Sequence, residues 1–312
     1  MKNRMRANKR SGPAVFGLTV CLVLFMVTGI LRPCTFFMAT ANGLTFFGNN
    51  EDSGMPDTYI WFIPPEDGKY GGVFFSYGNG FPQGGMNDQG LSFDGASTPR
   101  VKLNFSKDKK AARGYLTTKI MEECATVEEV IQIVDTYKYP DLIGQGQLLF
   151  ADANGDAVIV GGPSDSSDID VIRKNAGAAT MTLTNFFPSH PELGGYPCMR
   201  YMAATARLKK DPSPTVANFR SILKAVANKN TQYSNIFDLN NKVIYLYHFH
   251  DFENQVRLDL AVELKMEAHA YQISTVFQDS GTEDIIMSLN DLRAKGSISR
   301  NIPEFRVYIS RK

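Results

Sequence analysis

Cys34 is the residue with the clearest chemical potential, and its position gives it that potential. It stands where an atypical N-terminal stretch gives way to an ordinary globular sequence. If processing removes residues 1–33, Cys34 gains a free α-amino group beside its own thiol. An α-amine titrates at about 7.7–8.0 and a thiol at about 8.5. The two are matched for proton transfer near neutral pH, so one residue can supply both nucleophile and general base. No histidine is then required, and His190, His248, His250 and His269 make no recognisable Cys-His arrangement with Cys34. The competing reading is an ordinary buried or lipidated cysteine. Lipidation fits poorly, because Arg32 and Pro33 stand where small residues are expected.

A second chemical group can reach this thiol through the chain's first turn. Asn42-Gly43 between two apolar runs is a strong hairpin signal. A hairpin lays its second strand beside its first. The segment Gly48-Asn49-Asn50-Glu51-Asp52 therefore returns toward Cys34, and the Asp52 carboxylate can hold and orient an α-ammonium there. The bland alternative is a polar turn.

The elements that must position these groups are legible only in outline. After the hairpin, short strands are expected near 59–63, 73–77 and 91–93, punctuated by Pro64-Pro65, Gly71-Gly72 and Gly84-Gly85. Helical spacing follows over 111–124. Thr126 then reads as an N-cap, with Glu129 three residues on. Strands are expected at 148–151, 157–160 and 180–184, with Asn154-Gly155 as a further hairpin turn. Helices follow near 197–209 and 214–228, then strands at 233–238, 243–248 and 255–260. This alternation of strand and helix groups predicts sheets covered by helices within one domain.

The chain has 312 residues, with an apolar share of 43% and a charged share of 21%, enough for a substantial core. Lys and Arg total 33 against 32 acids, which gives no electrostatic case for nucleic acid. Lys2, Arg4, Arg6, Lys9 and Arg10 open the chain, and residues 14–31 form an uncharged apolar run of 18 residues. That pattern predicts a signal peptide or N-terminal anchor plus a short propeptide over 1–33, and a single domain over 34–312. Val27-Thr28-Gly29 fits signal-peptidase cleavage better than the residues next to Cys34, and would leave a four-residue stub. The expected location is secreted, periplasmic or otherwise extracytoplasmic, with membrane contact only through residues 1–33 if they are retained. Cys124 and Cys198 could pair or simply be buried. The basic stretch 107–113 reads as a solvated helix start.

Several motifs together resemble those of one family. Cys34-Thr35 and Gly48-Asn49-Asn50-Glu51-Asp52 resemble the opening of the choloylglycine hydrolase and penicillin V acylase superfamily of linear amide C–N hydrolases. Gly85-Met86-Asn87-Asp88-Gln89-Gly90-Leu91, Leu183-Thr184-Asn185, Cys198-Met199-Arg200-Tyr201 and Thr231-Gln232-Tyr233-Ser234 are similar to its later segments, in the same order. Together they span residues 34–260.

The resemblance implies an α+β fold, the four-layer αββα N-terminal nucleophile hydrolase sandwich, with autocatalytic exposure of Cys34. It implies Cys34 as nucleophile and Asp52 as the carboxylate on its amine. Asn185 would donate its side-chain amide to the oxyanion, with the backbone N–H of Ser97 as partner. Arg200 would lie near Cys34 and Asp52 and favour the thiolate. The substrate would be a small-molecule N-acyl amide, with no cofactor and no metal; a homo-oligomer stays open. Two departures bear on specificity. Asn49 stands where the bile-salt members carry arginine, and Ser97 where they carry asparagine. The loss of charge at Asn49 argues for a fatty N-acyl, aryl-acetyl or peptide-like amide at least as strongly as for a bile salt.

Alternative readings remain. Asn50-Glu51-Asp52-Ser53 also resembles the start of a family of N-terminal cysteine dipeptidases, over a shorter stretch. An N-acyltransferase would use the same residues with an amine in place of water. If residues 1–33 stay attached, the chain reads as a membrane-anchored binding protein without catalysis. His248-Phe249-His250-Asp251 places two histidines on one expected strand face, but no third metal ligand is evident.

Overall fold

Asn42 and Gly43 take φ values of 52° and 77°, the left-handed pair that a two-residue hairpin needs. They turn β1 (Thr35–Ala41) back onto β2 (Leu44–Asp52) in antiparallel register, with Thr35 opposite Asn50. The computed structural model describes residues 34–66, 68–78, 80–112, 114–139, 145–163, 168–277, 284–288 and 306–310. The apolar run 14–31 lies outside them. Among the described residues no helix is long and apolar enough to cross a membrane.

Successive side chains of β1 face opposite ways, and both faces are buried. Phe36 and Met38 enter one core cluster, Phe37 and Ala39 another. A strand apolar on both faces must lie in an inner layer, and the topology agrees. The first sheet runs β10 (Thr180–Leu183), β1, β2, β11 (Thr231–Asp238), β12 (Val243–His248), β13 (Asp251–Asp259). The second begins with β15 (Asp284–Ser288), β16 (Arg306–Ser310), β14 (His269–Gln272), β3 (Thr58–Ile63) and β4 (Gly72–Tyr77). It continues through β5 (Pro82–Asn87), β6 (Ser92–Ser97), β7 (Gly146–Ala151), β8 (Ala157–Pro163) and β9 (Ile169–Arg173).

Phe36, Met38, Phe47 and Phe237 of the first sheet share one core cluster with Ile60, Phe62, Val73 and Phe75 of the second. Phe75 stacks on Tyr233 with ring centroids 5.2 Å apart, joining the two sheets. On the outer face of the first sheet lie α3 (Met199–Lys210) and α4 (Val216–Val226), where Phe219 packs 5.0 Å from Phe37 and 5.5 Å from Phe46. On the outer face of the second lie α1 (Leu116–Glu123) and α2 (Val127–Thr136), whose Leu116, Ile120, Val130 and Val134 cover Phe93 and Phe150. Each fully buried phenylalanine contributes roughly 1.5–3 kcal/mol. The four layers are helix, sheet, sheet, helix, as expected. A further short helix, α5 (Leu260–Glu263), follows β13.

Local expectations hold where a motif has a mechanism. Thr126 accepts from the Glu129 N–H and Glu129 reaches back to the Thr126 N–H, a complete capping box on α2. Other expectations need correction. Gly84 and Gly85 are not turn punctuation but lie inside β5. A Cβ on Gly84 would meet Asp94 Oδ2 at 2.4 Å, and one on Gly85 the Val73 carbonyl at 2.5 Å, so close approach explains both glycines. Residues 107–112 do not start a helix, which begins only at Leu116. Lys109 instead turns inward, donating to the Val134 carbonyl at 2.8 Å and pairing with Asp168 at 2.7 Å. His250 leaves the strand: with Phe249 (φ 42°) and His250 (φ 68°) in the left-handed region, the segment is a tight turn. Cys34, Cys124 and Cys198 are free and buried.

Candidate active site

The site collects at one end of the first sheet because four strand ends meet there. Cys34 immediately precedes β1, Asp52 ends β2, and Thr231 begins β11 opposite Asp52. On the other side, β10 pairs with β1, so the chain leaving β10 brings Asn185 alongside. Arg200 enters from the first turn of α3, and Ser97 from the end of β6 in the second sheet.

Arg200 links most of these groups. One guanidinium nitrogen, Nη1, donates to the Cys34 carbonyl and to Thr35 Oγ1, both at 2.6 Å. The other, Nη2, donates to Asn185 Oδ1 at 2.9 Å. That last bond fixes the Asn185 amide, whose Nδ2 then points to Ser97 and donates to its carbonyl at 2.8 Å. Arg200 Nη1 also lies 3.9 Å from Asp52 Oδ2. A planar fork suits several acceptors at once, which a lysine could not match.

Asp52 is fully buried. Its Oδ1 accepts from the Thr231 hydroxyl and its Oδ2 from the Asn228 amide. Burial pushes its carboxyl up to about 7; Thr231, Arg200 and Asn228 pull the other way. The Cys34 thiol is also buried, with Sγ 3.9 Å from the Asp52 carbonyl oxygen. Burial raises it well above the usual thiol value, and the charges of Glu51 and Asp52 raise it further. The thiolate is thus not favoured at rest, contrary to the expectation for Arg200. The guanidinium fork engages the Cys34 carbonyl, Thr35 and Asn185, and the carboxylates dominate around the sulfur. To act as a nucleophile, a thiol held this way would need a base.

The structure therefore brings together Cys34, Asp52, Asn185, Arg200 and Ser97. Asn49 stands apart. Its buried side chain enters the space between the sheets and donates from Nδ2 to Asn235 Oδ1, directly opposite, at 3.3 Å. Asn49 Oδ1 and Asn235 Nδ2 find no hydrogen-bond partner among the described residues.

Two groups of residues escaped the sequence reading. Asn228 and Thr231 grip Asp52, and Thr231 was visible only as part of a strand motif. Beneath the thiol, Glu51 accepts from the Tyr77 hydroxyl. Asp94, raised well above the usual carboxyl value by burial and then by Glu51, lies close to the same group. Strand alternation carried a hint: Glu51 must face away from its neighbours Asn50 and Asp52. Its partners come from the other sheet and have no sequence signal. Among the described residues no group of His, Cys, Asp or Glu is placed to hold a metal.

Two sheets, antiparallel except where β14 pairs in parallel with β16, lie between helix layers, and this is the sandwich fold of the N-terminal nucleophile hydrolases. Among solved structures the chain is similar to penicillin V acylase from Agrobacterium tumefaciens, at 17% identity and a TM-score of 0.60, over 76% of this chain and 90% of that one. It is similar also to a variant of conjugated bile acid hydrolase from Clostridium perfringens, at 19% identity and a TM-score of 0.57, over 77% and 97%. A second variant of that hydrolase gives 18%, 0.55, 75% and 94%. No protein-family profile and no curated protein sequence matches the chain.

Proposed function

We propose that this protein hydrolyses a linear carbon–nitrogen amide bond, with Cys34 as an N-terminal nucleophile exposed by removal of residues 1–33. The observation that carries this reading is the convergence of Cys34, Asp52, Asn185, Arg200 and Ser97 at one sheet end. It is supported by the likeness to penicillin V acylase and conjugated bile acid hydrolase. The Cys34 α-amine takes the thiol proton, and Asp52 holds the resulting ammonium. The sulfur attacks the amide carbonyl carbon, and the Asn185 amide with the Ser97 N–H receives the oxyanion. Such a donor contributes about 2.7–4 kcal/mol. Collapse breaks the C–N bond, the ammonium protonates the departing amine, and water cleaves the thioester. Thiol, amine, oxyanion donors and carboxylate are all side-chain or backbone groups of this chain, and no cofactor enters.

For specificity, Asn49 supports neutral over anionic leaving groups. Glycine and taurine conjugates leave as anions, and this position supplies no cation. A hydrogen bond to a charged group is worth about 1.5–3 kcal/mol, so its loss costs roughly one to two orders of magnitude in rate. On processed enzyme, kcat/KM for phenoxyacetyl and long-chain N-acyl amides should exceed that for a conjugated bile salt by about tenfold or more. A bile salt that wins by the same margin overturns this reading of Asn49. Turnover of none of the three overturns the amidase assignment.

A further inference from the structure

Asp52 is held by a short turn that closes on itself before it touches the carboxylate. The Thr231 N–H donates to the Asn228 carbonyl at 2.9 Å, and the Asn228 N–H donates to Thr231 Oγ1 at 3.0 Å. The Asn230 N–H donates to Asn228 Oδ1 at 2.9 Å. Its carbonyl accepts from the Ser53 N–H at 2.8 Å, which ties the turn to the residue after Asp52. These bonds orient both side chains. With Asn228 Oδ1 engaged inside the turn, its Nδ2, which can only donate, faces Asp52 Oδ2. With Thr231 Oγ1 accepting from Asn228, its hydroxyl hydrogen is directed onto Asp52 Oδ1.

We propose that the Asn228–Thr231 turn is a positioning device for the reaction: it presents one fixed donor to each Asp52 oxygen, so that the carboxylate meets the Cys34 amine as an acceptor of set orientation. This rests on the amidase reading of Asp52. Neither residue touches the scissile bond, so both act through Asp52. The other groups that face Asp52 are Arg200 from α3, at 3.9 Å, and Cys34 ahead of β1. Glu51, although adjacent in sequence, turns to Tyr77. Thr231 and Asn228 both hold the Asp52 carboxyl below the level that burial alone would give.

The test is the pH profile of kcat/KM for Thr231→Val and Thr231→Ser on processed enzyme with an N-acyl amide. Valine keeps the shape and removes the donor; serine keeps the donor. T231V should move the acid limb up by about one pH unit, a roughly tenfold loss below pH 6 that shrinks as pH rises. T231S should restore the parent profile. Asn228→Ala should shift the limb in the same direction, which covers the case of a T231V that does not fold. A parent-shaped profile in folded T231V and N228A, however much the rate drops, refutes the positioning role. Asp52→Asn separates the two levels. If D52N is inactive while T231V keeps the parent limb, only the turn proposal fails; if D52N is fully active, the reading of Asp52 fails.

Discussion

Arg200→Lys keeps the positive charge near Asp52 and removes the fork. Arg200 donates to Cys34 O and Thr35 Oγ1 at 2.6 Å and to Asn185 Oδ1 at 2.9 Å. A lysine ammonium is a compact point charge and cannot span these acceptors from one position. The Asn185 contact matters most, because it aims Nδ2 toward Ser97. Once freed, the amide can rotate, and the loss approaches that of an oxyanion donor, about 2.7–4 kcal/mol or 10²–10³ in kcat. An oxyanion exists only in the transition state, so the loss should fall on kcat, with KM moving less than about threefold. Folding should suffer less, since the side chain retains its charge and partial exposure. The assay is steady-state hydrolysis of an N-acyl amide, on material whose N-terminus is verified, beside a thermal melt. Because Arg200 acts through Asn185, R200K and Asn185→Ala should be strongly non-additive. Full additivity, or R200K activity within about threefold of the parent, would refute the account of the fork.

Asp52→Asn should lower kcat/KM by about a hundredfold or more, because a neutral amide cannot hold the ammonium by charge, while the thermal midpoint near neutral pH moves little. The third prediction concerns pH and the unprocessed chain, prepared as Cys34→Ala. Asp52 is raised to about 7 in the folded chain, so between about pH 4 and 7 the folded state keeps a proton that the unfolded state has released. The contribution of this carboxyl to stability is therefore present below about pH 4 and is lost as pH rises through 7, by up to about 4 kcal/mol. Urea unfolding across that window should show the slope in C34A and a flatter one in C34A/D52N; equal slopes would assign it elsewhere.

The sequence revealed those features whose causes are local. Asn42-Gly43 forces the hairpin, and the hairpin forces Asp52 back toward Cys34. Thr126 and Glu129 cap α2 whatever the tertiary context. Features that depend on another strand were hidden. Gly84 and Gly85 looked like turn residues because their requirement comes from Asp94 and Val73 across the sheet. Asn228 carried no signal, because its value lies in the register that sets Thr231 opposite Asp52. Glu51, Tyr77 and Asp94 meet only when two sheets stack. The family resemblance had Arg200 favour the Cys34 thiolate. Burial between the sheets reverses that direction, which makes a local base more necessary to the chemistry.

The central claim is that Cys34 becomes the N-terminal residue and carries the acyl group. Mass analysis of enzyme quenched during turnover of an N-acyl amide, with mapping of the N-terminal peptide, tests both parts at once. The account predicts active material that begins at Cys34 and bears the acyl mass as a thioester on that residue. Active material that retains residues ahead of Cys34, or an acyl adduct on any other side chain, would contradict it.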